Sequence, residues 1–298
     1  MTVIVEIAVG EAPSHVSIAE ADAIAAAAQD AGVTAIRLVD QLGGHQAIDP
    51  SVLAAHLGGK YADIGWMIDA PTSHNAPYNL ARRLLSVDRA TGGRAGVVLL
   101  PGVGDEVSDA AAPDRGTTDR ADRWIEYAQI LTQLWESFPS AALLGDQENA
   151  LVVDDAMIRP IDFDGRFYRV AGPLDGPSSV QGRPVLAATE PAAVGWSRVA
   201  PIADAVIVDH AEIDRAAAEL TAALTSVGRR RDEVALLERI GDTEVMPAHG
   251  VDGIVLAVDG GASEILSAIS AVARQTSPGR RGTLRAEFGV PTPEGVLA

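Results

Sequence analysis

The 298-residue sequence predicts a (β/α)8 barrel, with residues 1–298 forming one domain. Three observations predict it. Eight short apolar, β-branched runs recur along the chain, Ala-rich amphipathic stretches fill the gaps between them, and the length suits the ~250 residues that such a barrel uses. An open doubly wound sheet shares the strand–helix alternation, but eight strands with intervening helices in one chain of this length favour closure.

Val3–Val9 is the first run, and the Ile18–Ala31 helix after it ends before Gly32, a residue suited to a left-handed C-terminal cap. Ala35–Val39 follows, then a helix over Ser51–Tyr61, announced by Asp49 as N-cap and Pro50 at the first helical position. Ile64–Ile68 leads to the helix Tyr78–Ala90, and Ala95–Leu100 to the loop Gly102–Asp119, rich in Gly, Asp, Ala and Pro and read as mobile. The helix Arg120–Phe138 comes next, and the irregular segment Pro139–Arg183 separates it from the fifth run, Pro184–Ala188. The remaining units are the helix Pro191–Ile202, the run Ala205–Asp209 with the helix Glu212–Val227, and the run Val234–Glu238. Thr243–Val251, interrupted by Pro247 and Gly250, reads as an abbreviated seventh unit before Gly253–Val258 and the helix Ser263–Gln275.

Composition narrows the function. A formal charge of -18 would repel phosphate backbones, so nucleic acid is not an expected partner. The absence of cysteine excludes disulfides, thiolate metal sites and Cys nucleophiles. The N-terminus has no basic region followed by an apolar stretch, and no window reaches the ~18 apolar residues of a membrane span, so a soluble cytoplasmic protein is expected. The six histidines show no metal-ligand spacing, and no metal site is expected. Gly102-Val103-Gly104 lacks the third Gly of a dinucleotide turn, and neither a Gly-x-Ser-x-Gly elbow nor a Walker loop occurs.

Three segments carry a more specific signal. The first is Ile64-Gly65 leading into Asn75-Ala76-Pro77-Tyr78-Asn79-Leu80-Ala81-Arg82-Arg83, then Ser86-Val87-Asp88 and Gly92-Gly93-Arg94. The second is Ile161-Asp162 with Gly172-Pro173-Leu174 and Gln181-Gly182-Arg183-Pro184-Val185. The third is Thr283-Leu284-Arg285 with Gly289-Val290-Pro291. In order and spacing these resemble the bacterial luciferase-like flavin-dependent monooxygenases, in the branch that includes nitrilotriacetate and dibenzothiophene-sulfone monooxygenases. The chain is shorter than that family's usual form, with the missing length falling between strands six and eight.

The resemblance implies a (β/α)8 barrel that pairs into a homodimer or higher oligomer. It also implies reduced FMN, supplied by a separate flavin reductase, reacting with oxygen to oxygenate a small organic substrate. The cofactor-binding positions that it implies are Asp40, Asp69, Val98, Thr189 and Glu190, while His74 and Asp69, on the expected active face after strand three, are the catalytic candidates. Asp40 equally suits a cap or loop, and His74 a cap or the surface. Several of these positions depart from the family pattern. Asp69 stands for a Thr, Val98 for an Asn, Pro101-Gly102 for Thr-Ser, and Thr189-Glu190-Pro191-Ala192 for the Ala-Gly-Ser-Ser that cradles a phosphate. Proline removes an amide donor and Glu190 adds negative charge where a dianion should sit. Two further readings therefore stand beside the first. In one, the barrel has lost FMN and serves as a partner or ligand-binding subunit; in the other, it uses a deazaflavin.

Overall fold

Eight parallel strands close into a barrel in the computed structural model, which describes residues 1–102, 119–241, 247–273 and 282–293. They are β1 (Thr2–Ile7), β2 (Ala35–Leu38), β3 (Gly65–Pro71), β4 (Ala95–Leu100), β5 (Val185–Ala188), β6 (Ala205–Asp209), β7 (Ala235–Ile240) and β8 (Gly253–Leu256). Each pairs with its neighbours in chain order, and β1 closes on β8 with Thr2 opposite Gly253 and Val5 opposite Leu256. Closure explains the mostly apolar runs, since both faces of every strand are covered. Val3, Val5 and Ile7 pack outward against the helical layer, while Ile4 packs inward with Ala35, Met67, Val98, Ala187 and Ile207.

The helices are α1 (Ile18–Asp30), α2 (Pro50–Gly58), α3 (Pro77–Ala90), α4 (Arg120–Glu136), α5 (Pro191–Val194), α6 (Trp196–Val199), α7 (Ile213–Ser226), α8 (Ala262–Ala273) and α9 (Leu284–Glu287). Asp49 caps α2 as expected, accepting from Ser51 N at 2.8 Å, and Gly32 takes the left-handed conformation just after α1. The expected helix Pro191–Ile202 is instead two single turns, broken at Gly195, whose φ of 97° a helix cannot accommodate. The Pro139–Arg183 segment forms two small hairpins, Leu143–Asp146 with Leu151–Val153 and Phe163–Asp164 with Arg169–Val170. A third hairpin, Gln41–Leu42 with His45–Gln46, follows β2. Most of the expected Gly102–Asp119 loop, part of Thr243–Val251 and the last two residues of Ser263–Gln275 lie outside the described residues. No helix among the described residues is long and apolar enough to cross a membrane.

The N-terminal end of the barrel is plugged by α9 and the residues after it, with Leu284, Phe288 and Val290 packed against the interior side chains. Gly65 makes room for the plug, because a Cβ there would meet Leu284 Cδ1 at 2.7 Å. Arg285 anchors it through paired bonds to buried Asp204, Nη1 to Oδ1 and Nη2 to Oδ2, both 2.8 Å. Burial would raise Asp204, but Arg285 and Arg183 hold it at about 2. Gln181 ties three segments together, donating to Asp88 Oδ1 at 2.7 Å and to Ala95 O at 2.8 Å, and accepting from Arg285 N at 3.0 Å. The motifs that carry the family resemblance therefore meet at the floor of the barrel.

Candidate functional site at the barrel mouth

Along each strand alternate residues face the barrel axis. Toward the C-terminal ends of β1, β2, β3, β6 and β7 an inward position is charged: Glu6, Arg37, Asp69, Asp209 and Arg239. Strand register places Glu6 beside Arg37, and Asp209 beside Arg239. The side chains join in a chain of alternating sign. Arg37 grips Asp69 through Nε to Oδ1 at 2.8 Å and Nη2 to Oδ2 at 3.0 Å, and reaches Glu6 Oε2 through Nη1 at 2.8 Å. Arg239 holds the other side of Glu6, Nη2 to Oε1 at 2.7 Å, and contacts Asp209 Oδ1 at 3.2 Å.

This network contains three carboxylates and two guanidiniums, so one negative charge is in excess. Burial would push Glu6 up, but Arg37 and Arg239 hold it below the usual glutamate range. Asp69 takes the excess: burial pushes it up to about 6, Arg37 opposes that, and the nearby charges of Glu6 and Asp40 reinforce it. Arg239 is raised by its hydrogen bonds to Glu6, against partial burial.

The network forms one wall of a cavity of about 330 Å³ at the mouth. Its charged lining is Glu6, Asp69, Glu190, Asp209 and Glu212 against Arg37 and Arg239, and Val39, Leu42, Leu100 and Ile207 are among its apolar residues. A neighbouring cavity of about 390 Å³ shares Glu6 and Arg239 and ends at Asp259, Gly260 and Gly261, just before α8. That helix start is an anion site by geometry. Glu264 already fills it, its carboxylate accepting from Gly261 N at 3.0 Å.

The sequence-predicted positions separate. Asp69, Thr189 and Glu190 line the mouth cavity. Val98 is fully buried in the barrel interior, opposite Asp69 in the strand register. Asp40 sits at the base of the small hairpin, where its carbonyl accepts from Ala47 N at 2.9 Å and Gln46 Nε2 at 3.0 Å. His74, with φ of 63°, lines a separate apolar groove with Pro77, Tyr78, Phe167 and Tyr168. Glu126 of α4 holds Phe167 and Tyr168 of that groove in place, accepting from the backbone N–H of Arg166, Phe167 and Tyr168 at 2.9, 2.8 and 2.6 Å.

Thr189 stands out among the lining residues. It continues the inward alternation of Val185 and Ala187, only 9% of its surface is exposed, and its Oγ1 is buried without a hydrogen-bond partner. Glu190 follows it in the left-handed conformation, φ 47° and ψ 47°, where a non-glycine residue is strained.

Glu6, Arg37, Asp209 and Arg239 were not singled out by sequence reasoning, although a signal existed: a charged residue interrupts each of the apolar strands β1, β2 and β7 at an inward position. Behind the mouth, Glu238 points outward from β7, fully buried, and holds His210 Nδ1 and Ala248 N together.

The sequence profile of a family described as "Luciferase-like monooxygenase" matches residues 2–240. Over 274 residues the chain is 31% identical to a subunit of pristinamycin IIA synthase from Streptomyces pristinaespiralis, covering 90% of this chain and 87% of that protein. It is 27% identical over 216 residues to dibenzothiophene-sulfone monooxygenase of Rhodococcus erythropolis, covering 70% of this chain but only 46% of the relative. The chain thus spans about half the length of that monooxygenase. Among solved structures, EDTA monooxygenase from Chelativorans sp. BNC1 has the same fold, with a TM-score of 0.78, 18% identity and 98% of both chains covered.

Proposed function

The chain belongs to the luciferase-like monooxygenase family, a family of flavin-dependent enzymes, and from that membership we propose that it works in the flavin-dependent oxygenation of a small organic molecule as a subunit whose own barrel mouth does not hold FMN. The ion network across the mouth carries this reading. FMN brings a phosphate dianion, and its reduced ring is often anionic, so a site for it needs uncommitted donors and cations.

The described residues that line the mouth supply no uncommitted cation. Arg37 and Arg239 are each engaged by two carboxylates. The first turn of α5 begins at Pro191, which has no N–H, behind Glu190. The amide at Gly261 is satisfied by Glu264. Among the described residues the mouth therefore offers no cradle for the FMN phosphate.

The near full-length relative is itself one subunit of a synthase, which supports a partner protein that holds the flavin. A flavin reductase would then serve that partner. The chain's own contribution is a charged mouth with an apolar patch, whose shape is fixed by paired charges, as expected of a group that positions a substrate or an interface.

Titration of the purified chain with FMN, and with reduced FMN under anaerobic conditions, tests the reading. We expect no saturation up to about 1 mM, an affinity of only ~4 kcal/mol. Saturation at low micromolar FMN in either redox state overturns it.

A further inference from the structure

We infer that the barrel mouth is a binding site for a small organic cation, a protonated amine on an apolar body, received by Thr189 Oγ1 and the carboxylates of Glu190 and Glu212. The inference rests on the mouth not being an FMN site and names what it takes instead.

Three independent features agree. The first is charge. Five carboxylates and two guanidiniums line the cavity, and both guanidiniums are already paired, so the field inside favours a positive ligand. Glu190 has no ion pair within the described residues, and the contact of Glu212 with Arg215 is an exposed one at 3.6 Å.

The second is an unsatisfied acceptor. A buried hydroxyl without a partner is costly unless a ligand supplies one. Thr189 Oγ1 is such a group, on a strand position that faces the axis. A hydroxyl accepts readily from an ammonium and keeps its own proton for a second contact.

The third is the conformation of Glu190. A side-chain-bearing residue is held in the left-handed region at the cavity edge, where glycine would sit without strain. Such strain is characteristic of functional positions, and here it puts a carboxylate at the rim.

Val39, Leu42, Leu100 and Ile207 supply an apolar wall for the body of the ligand, in a cavity at the small end of the range for ligand sites. A divalent metal would instead need several carboxylates free of counter-ions, and Glu6 and Asp69 are both committed to Arg37.

Calorimetric titration of the full chain with three isosteres decides the matter: 3-phenylpropylammonium, 3-phenylpropan-1-ol and 3-phenylpropanoate. The ammonium should bind at least about tenfold more tightly than the alcohol, and the carboxylate more weakly than either. Thr189→Val and Glu190→Gln should each weaken the ammonium severalfold without lowering the thermal midpoint. The preference should shrink as salt is raised. Equal affinity for the alcohol or the carboxylate, no saturation by the ammonium below ~10 mM, or parental affinity in both variants overturns the cation site. FMN in the same assay separates the two claims. FMN binding that the ammonium displaces overturns the subunit reading and the cation site with it, whereas failure of both FMN and ammonium to bind overturns the cation site alone.

Discussion

Arg37 and Asp69 form a two-bond, buried pair at the barrel mouth, Nε to Oδ1 at 2.8 Å and Nη2 to Oδ2 at 3.0 Å. The geometry is the fork-to-fork arrangement that arginine makes best. Asp69 is nonetheless raised to about 6, because burial of its charge outweighs that one guanidinium and Glu6 shares the same partner.

Asp69 should therefore leave a pH signature on stability. Its folded pKa lies above the ordinary 3.8, so its contribution is full below about pH 4 and is lost as pH rises through about 6. A shift of this size corresponds to on the order of 3 kcal/mol. Denaturant midpoints of parent and Asp69→Asn, compared from pH 4 to 7, should show the parent declining relative to the variant. Parallel curves would disprove the assignment.

Asp204 behaves oppositely. Held at about 2 by Arg285 and Arg183, it stabilises the fold above about pH 4 and that contribution is lost as pH falls toward 2. Asp204→Ala leaves Arg285 buried without its carboxylate and should cost about 3–5 kcal/mol, read as a lowered urea midpoint at pH 7. The acid-unfolding transition of the variant should also be shallower.

Glu126 holds the Arg166–Tyr168 turn by three backbone amides. With about 1.5–3 kcal/mol for a hydrogen bond to a charged group, shared among the three, Glu126→Ala should destabilise by at least ~2 kcal/mol. Glu126→Gln should recover part of that, since its carbonyl still accepts. Thermal melts of both variants measure the difference.

Glu190→Gly should be mildly stabilising. Relief of left-handed strain returns ~1–2 kcal/mol, and the greater backbone freedom of glycine in the unfolded chain takes back ~0.5–1 kcal/mol. A raised urea midpoint is the expected result. Glu190→Val, branched at Cβ, should move the midpoint the other way.

Much of the scaffold was legible in the sequence because strands buried on both faces write themselves as mostly apolar, β-branched runs. The floor was legible too, although for a different reason. Asp88, Gln181 and Arg285 belong to motifs that carry the family resemblance, and the structure bonds Gln181 directly to both of the others. The mouth was not legible. Glu6 and Arg239 lie 233 residues apart in the chain yet form an ion pair, and no local pattern announces a partner at that distance. Nor can a sequence reveal that Thr189 Oγ1 lacks a partner, since that depends on every neighbour around it. The break of the expected Pro191–Ile202 helix at Gly195 was marked only by the glycine itself, which α-helices tolerate at modest cost.

Closure of β1 against β8 also has a consequence for biosynthesis. Thr2 through Val5 emerge from the ribosome roughly 250 residues ahead of Gly253 through Leu256, their partners on one edge. At ~5–20 residues per second the first strand waits on the order of 10–50 s with one edge unpaired. An unpaired apolar edge is a template for other chains. The nascent protein therefore passes through a vulnerable interval that the finished barrel, having no edges, never shows.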